Sequence, residues 1–201
     1  MSMDIDVFVD DIRNASKTDC ESYMQQFGIM AQIHPESNFE TDSGFLPMKV
    51  EFPSVGFLKG KTFLSGFECA SSAYDYECEI RVIKEALSKK SGGLFGFFKK
   101  KADVTADEPE IYIKSRDTDA LLKQCRHTVT LYLGSGDSFE PILALAFALY
   151  LVENCNGVMC YSFSDECFDS SNKREVSDQI GEFFDELTPE NLVCHPFEKW
   201  R

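Results

Sequence analysis

Eleven consecutive apolar residues, Ile142 to Val152, constrain this chain more than any other feature of it. The run is too short to cross a bilayer, which takes about 20 residues. It is apolar on every side of a helix, so it has to be buried in protein. Upstream, Thr128, Thr130 and Tyr132 alternate with Val129, Leu131 and Leu133, the two-residue period of a strand over His127 to Leu133. Gly134-Ser135-Gly136-Asp137 then supplies a turn, Asp137 or Ser138 a helix cap, and Pro141 a residue suited to the first turn. Asn156-Gly157 stops the helix, and Val158-Met159-Cys160-Tyr161 returns as a strand. The sequence thus predicts a β-α-β unit around a buried helix over 139–154. That unit is the hydrophobic centre of an α+β (or α/β) fold, with one mixed sheet and amphipathic helices packed on it.

The flanking segments supply the remaining elements. Ile5, Val7 and Val9 alternate with Asp4, Asp6 and Asp10 as a strand does, whereas Tyr23, Phe27 and Met30 recur at helical spacing and predict a helix over 18–33 closed by His34-Pro35. Segments 45–52 and 62–69 read as paired strands with a turn over Pro53 to Gly60. Tyr74 to Lys89 reads as an amphipathic helix, 111–114 as a short strand, 117–124 as a helix, and Asn172 to Leu187 as a helix ended by Thr188-Pro189. No Pro-, Gly- or Ser-rich linker divides the chain, so residues 1–201 are expected to form a single domain.

Charge narrows the function. The formal net charge is −14, distributed as −7 over residues 1–54, +4 over 55–101 and −11 over 102–201. An acidic field of this kind repels nucleic acid, whose recognition needs a basic surface, and draws in basic proteins. The one basic spot, Ser91-Gly92-Gly93-Leu94-Phe95-Gly96-Phe97-Phe98-Lys99-Lys100-Lys101, reads as a loop folded onto the core or as a membrane-touching or partner-inserting tip. Stable membrane insertion is not expected. The acidic Met1-Ser2-Met3-Asp4 start is unlike a secretory signal, which implies a cytoplasmic protein. Eight cysteines without a Cys-x-x-Cys pair then read as reduced thiols, with neither a disulfide framework nor a zinc site.

No catalytic signature is present. Gly134-Ser135-Gly136 has the position of a phosphate loop but lacks the third glycine or the Gly-Lys-Ser/Thr that such loops use, and Asp137 and Glu140 beside it oppose an anion. There is no Gly-x-Ser-x-Gly elbow, and His34, His127 and His195 cannot be placed beside a thiol from sequence. No catalytic residue, cofactor or metal ligand is therefore assigned.

Two stretches carry a resemblance: Phe45-Leu46-Pro47 followed by Ser65-Gly66-Phe67-Glu68, and a strand, a Gly-containing turn, Glu140, the Ala-rich helix and Asn156-Gly157-Val158. Together they resemble immunity proteins encoded beside polymorphic or secretion-system toxins. The resemblance implies a cytosolic binder without a catalytic centre, whose partner is a cognate toxin basic at its contact surface. Asp165, Glu166 and Asp169, after the β-α-β unit, and Tyr74, Asp75 and Tyr76, before a helix, are the candidate contacts, although each can equally be solvated surface. A small-molecule-processing enzyme with a non-obvious site and a membrane-peripheral adaptor using the 91–101 loop remain as alternatives.

Overall fold

The computed structural model describes residues 3–91, 111–134, 136–162, 164 and 166–200. Its centre is the N-terminal strand β1 (Met3–Val9), which pairs antiparallel with β5 (His127–Leu133) on one side and with β6 (Val158–Tyr161) on the other. The expected β-α-β unit is present, with α4 (Glu140–Asn154) joining β5 to β6, but β1 is inserted between its strands. That insertion corrects the expected mixed sheet: every pairing among the described residues is antiparallel. The strand order is β2 (Met30–Ile33), β3 (Ser43–Glu51), β4 (Phe63–Ala73), β5, β1, β6 and β7 (Cys167–Phe168), and β8 (His195–Pro196) pairs with the start of β4. The fold is α+β.

Period-two patterning gives the sheet two unlike faces. Ile5, Val7, Val9, Val129, Leu131, Met48 and Phe67 point to one face and are almost wholly buried beneath α4. Every residue of α4 from Ile142 to Val152 is buried as well, flanked by α1 (Lys17–Met24) and α5 (Arg174–Glu186). Tyr150 brings a hydroxyl into this core, and Ser16 satisfies it twice: its N–H donates to Tyr150 Oη at 2.7 Å, and its carbonyl accepts from the same hydroxyl at 3.0 Å. Val176 and Ile180 of α5 are buried, with Phe183, Phe184 and Leu187 packed against the same core.

The second face is only partly covered. α2 (Tyr76–Ser91) and α3 (Arg116–Leu122) place Tyr76, Ile80 and Leu122 over Phe8, Val158 and Cys160, near the β1–β6–β7 side. Asp119 of α3 is 1% exposed and ties this layer together. Its carboxylate accepts from Tyr76 Oη at 2.8 Å, Ile113 N at 2.8 Å and Lys114 N at 3.0 Å. Over β3, β4 and the end of β5 the same face carries no described helix.

Four further expectations are corrected. The cap position of α4 is held by Phe139, with no side-chain cap bond, and not by Asp137 or Ser138. The helix over 18–33 ends at Met24, passes through a 3-10 turn (Gln25–Phe27), and breaks at Gly28, whose φ of 73° is left-handed; Met30–Ile33 then forms β2. Residues 111–114 are not a strand, because Asp119 takes the backbone N–H groups of Ile113 and Lys114. The cysteines are not all thiols: Cys160 and Cys167 stand directly opposite on β6 and β7, 4.2 Å apart at Cα, and form a disulfide. The 91–101 loop lies outside the described residues beyond Ser91, and Ser135 and Asp165 lie outside them too.

Candidate functional site

The half-face that no described helix covers is organised by strand register. Phe45 of β3 stands opposite Glu68 of β4, Glu68 opposite Tyr132 of β5, and Tyr132 opposite Asp4 of β1. One rung across four strands therefore reads aromatic, acid, aromatic, acid. Its members face away from α4 because their chain neighbours Leu46, Phe67, Leu133 and Ile5 are claimed by the core. Phe45 is 51% and Tyr132 42% exposed, unusually open for large rings, and Glu68 is exposed between them. With Leu133, Gly134 and Glu140 the rung lines a cleft of about 400 Å³.

The turn leading into α4 closes one end of that cleft. Glu140 in the first helical turn is 4% exposed, suits the positive end of the helix, and accepts from Gly134 N at 3.1 Å. Asp137 accepts from Phe139 N at 2.8 Å and from Ser65 Oγ at 3.0 Å, linking the helix start to β4. Carboxylates thus occupy the Gly134 and Phe139 N–H groups of this turn.

On the far side of Phe45 lies a second cavity of about 240 Å³, lined by Phe45, Leu64, Ser65, Gly66, Asp137 and His195. Phe45 leans over Gly66, whose φ of 154° and lack of a side chain let the Leu46 carbonyl approach; an added Cβ would lie 2.0 Å from that oxygen. Burial raises the Asp137 carboxyl above its ordinary value, with the Phe139 and Ser65 hydrogen bonds and nearby His195 opposing. A serine, a histidine and an aspartate share this cavity, but the serine hydroxyl donates directly to the carboxylate. That is a carboxylate of the turn before α4 bonded to a strand serine, not a nucleophile held by an imidazole.

The residues singled out from sequence lie elsewhere. Tyr74, Asp75 and Tyr76 follow the far end of β4, five residues beyond Glu68 and so about 16 Å along the strand. Tyr74 packs its ring edge-on against Phe8 at 4.8 Å, Asp75 Oδ1 accepts from Cys78 N at 3.0 Å as a cap of α2, and Tyr76 bonds Asp119. Asp169 is half-buried and holds the turn before α5, accepting from Ser171 N at 2.7 Å and Ser171 Oγ at 2.6 Å. Glu166 is exposed beside the Cys160–Cys167 bridge. The two groups border the same second-face cluster, in which Tyr74 and Cys167 both pack, but most of these side chains are committed to structure. Phe45, Glu68, Tyr132 and Asp4 were not selected from sequence. The available signal was an aromatic at an outward position of an alternating strand, as Tyr132 is in His127–Leu133.

Among the described residues no group of three or more His, Cys, Asp or Glu is placed to hold a metal ion. No described helix is long and apolar enough to cross a membrane. No family model matches the chain, nor does any curated protein or solved structure.

Proposed function

We propose that this chain is an immunity protein that binds and neutralises a cognate toxin in the cytoplasm, using an acidic surface against a basic one. The observation that carries the reading is the rung Phe45–Glu68–Tyr132–Asp4 on the half-face that no described helix covers. Half-exposed aromatic rings set among carboxylates are the composition of a protein-binding hot spot, and a net charge of −14 speeds encounter with a basic partner. The residues behind the family resemblance also build this cleft: Phe45 and Glu68 from the first stretch, Gly134 and Glu140 from the second.

Coexpression with the product of the adjacent gene tests the reading. The expected result is a salt-sensitive complex and rescue of growth, both weakened by Glu68→Lys. Undiminished toxicity and no complex with that product would overturn it. The cytoplasmic setting has its own check, because a cytosolic pool of glutathione keeps facing thiols reduced. Cys160 and Cys167 should then be alkylated when cells are lysed directly into denaturant with iodoacetamide, which exposes the buried Cys160; a protected pair would place the protein in an oxidising compartment.

The enzyme reading draws on the 240 Å³ cavity, where a buried Asp137 with a raised pKa faces His195. Asp137→Asn separates it from the binding reading: it would abolish a turnover and leave toxin capture at the rung intact. The adaptor reading rests on the 91–101 loop, which lies outside the described residues beyond Ser91.

A further inference from the structure

We infer that the rung is a receptor for a single arginine side chain of the partner, an inference that rests on the partner-binding reading and gives it an atomic contact. The geometry follows from the register. Adjacent strands lie about 4.8 Å apart, so Phe45 and Tyr132, separated by one strand, stand roughly 10 Å apart across Glu68. A cation seated in the cleft that both residues line has an aromatic side chain on either side, and an aromatic face attracts a cation over roughly 6 Å. The Glu68 carboxylate is on the intervening strand below that point, and Asp4 adds a second acid one strand beyond Tyr132.

Alternative occupants fit less well. Glu68 and Asp4 are two strands apart, roughly 10 Å, whereas a calcium ion draws its oxygen ligands to about 2.5 Å. A neutral apolar ligand would have to strip water from Glu68 without compensating it. Lysine supplies charge but no plane. Arginine supplies a flat guanidinium that stacks on rings and bonds a carboxylate through two N–H groups, and it stays charged at any working pH. The same face already makes one cation–aromatic contact within the chain, Lys49 Nζ lying 5.6 Å from the centre of the Phe197 ring. Lys49 stands opposite Leu64, four rungs along the β3–β4 ladder from Phe45 and Glu68, so it leaves the Phe45–Glu68–Tyr132 seat to an incoming cation.

The test is an NMR titration of the full chain at low salt with acetyl-Gly-Arg-Gly-amide, against the same peptide carrying citrulline, which keeps the shape and lacks the charge. The expected result is saturable shifts in the millimolar range at Phe45, Glu68, Tyr132 and Asp4. Citrulline and the Glu68→Gln variant should each bind about tenfold more weakly, as loss of one charge-assisted hydrogen bond requires. No saturable shift at these residues, or equal binding of citrulline, overturns the receptor whatever the toxin assay gives. Arginine binding without toxin capture leaves the receptor standing and removes the immunity reading instead. A Phe45→Ala/Tyr132→Ala double variant, checked for an otherwise unchanged spectrum, should lose both peptide and partner; retention of the partner by this variant would sever the receptor from the interface.

Discussion

Replacing Asp119 with alanine should destabilise this chain more than its position on a seven-residue helix suggests. The carboxylate is 1% exposed and is the shared acceptor of the Tyr76 hydroxyl and the Ile113 and Lys114 backbone N–H groups. A hydrogen bond to a charged acceptor is worth about 1.5–3 kcal/mol net, and a buried donor left without one costs about 1–3 kcal/mol. The two backbone donors are part-buried and can recover some water, whereas the Tyr76 hydroxyl is buried, and removing the carboxylate also removes its desolvation penalty. The balance is a loss of about 3–5 kcal/mol, a large share of the 5–15 kcal/mol typical of a folded domain. Tyr76→Phe removes one donor and leaves the carboxylate its other two, so its loss should be about 1–2 kcal/mol. Urea unfolding of both variants and of the double variant gives the coupling. The double variant should fall short of the sum by at least about 0.5 kcal/mol, because the pair is in contact. A loss below about 1 kcal/mol for Asp119→Ala, or full additivity, would refute the account of Asp119 as the tie of the second layer.

Three further outcomes are expected. Gly66→Ala should cost at least about 1–3 kcal/mol in urea unfolding, from an unfavourable φ of 154° and a Cβ driven into the Leu46 carbonyl; a neutral change would mean that β3 shifts freely against β4. Thiol titration of the denatured, oxidised protein should count six free cysteines of eight, and Cys160→Ser should lower stability by about 2.5 kcal/mol under oxidising conditions but much less under reduction. From neutral pH, stability should hold to about pH 9 and fall as pH rises towards 11. Burial pushes the Cys155 thiol up to about 11 from 9.0, so over that range the unfolded chain releases a proton that the folded one still holds. The rise from 9.0 to about 11 corresponds to on the order of 2–3 kcal/mol from Cys155 alone, readable as a drop in urea midpoint; a constant midpoint to pH 11 would contradict it.

The parts legible in the sequence were those in which one period dominates. The all-apolar Ile142–Val152 run admits only a buried helix, and the alternation in His127–Leu133 only a half-buried strand. The Met24–Ile33 region failed because Tyr23, Phe27 and Met30 keep helical spacing across Gly28, while β2 is a four-residue strand stabilised by its neighbours. Those neighbours include Glu21 of α1, which accepts from Ile33 N at 2.8 Å. The Cys160–Cys167 contact needs the β6–β7 register, which spacing alone does not encode. The candidate site was hidden for the same reason on a larger scale. Phe45, Glu68, Tyr132 and Asp4 share a rung only once the order β3-β4-β5-β1 is known, and no local pattern states that order. Conversely, Tyr74-Asp75-Tyr76 has the composition of a contact site, and only the structure assigns its members to packing, capping and the Asp119 bond.

The placement of β1 has a consequence for how the chain is made. β1 leaves the ribosome before its partners, His127–Leu133 and Val158–Tyr161. The nearest paired contact, Val9 with His127, spans 118 residues, which at about 5–20 residues per second is a wait of roughly 6–24 s. During that interval Ile5, Val7 and Val9 are an unpaired apolar strand edge. Asp4, Asp6, Asp10 and Asp11 are interleaved with it or follow it directly, charges that discourage the edge from joining other nascent chains. The aspartates of the first strand thus serve the chain before it has a fold, and Asp4 only afterwards becomes one wall of the cleft.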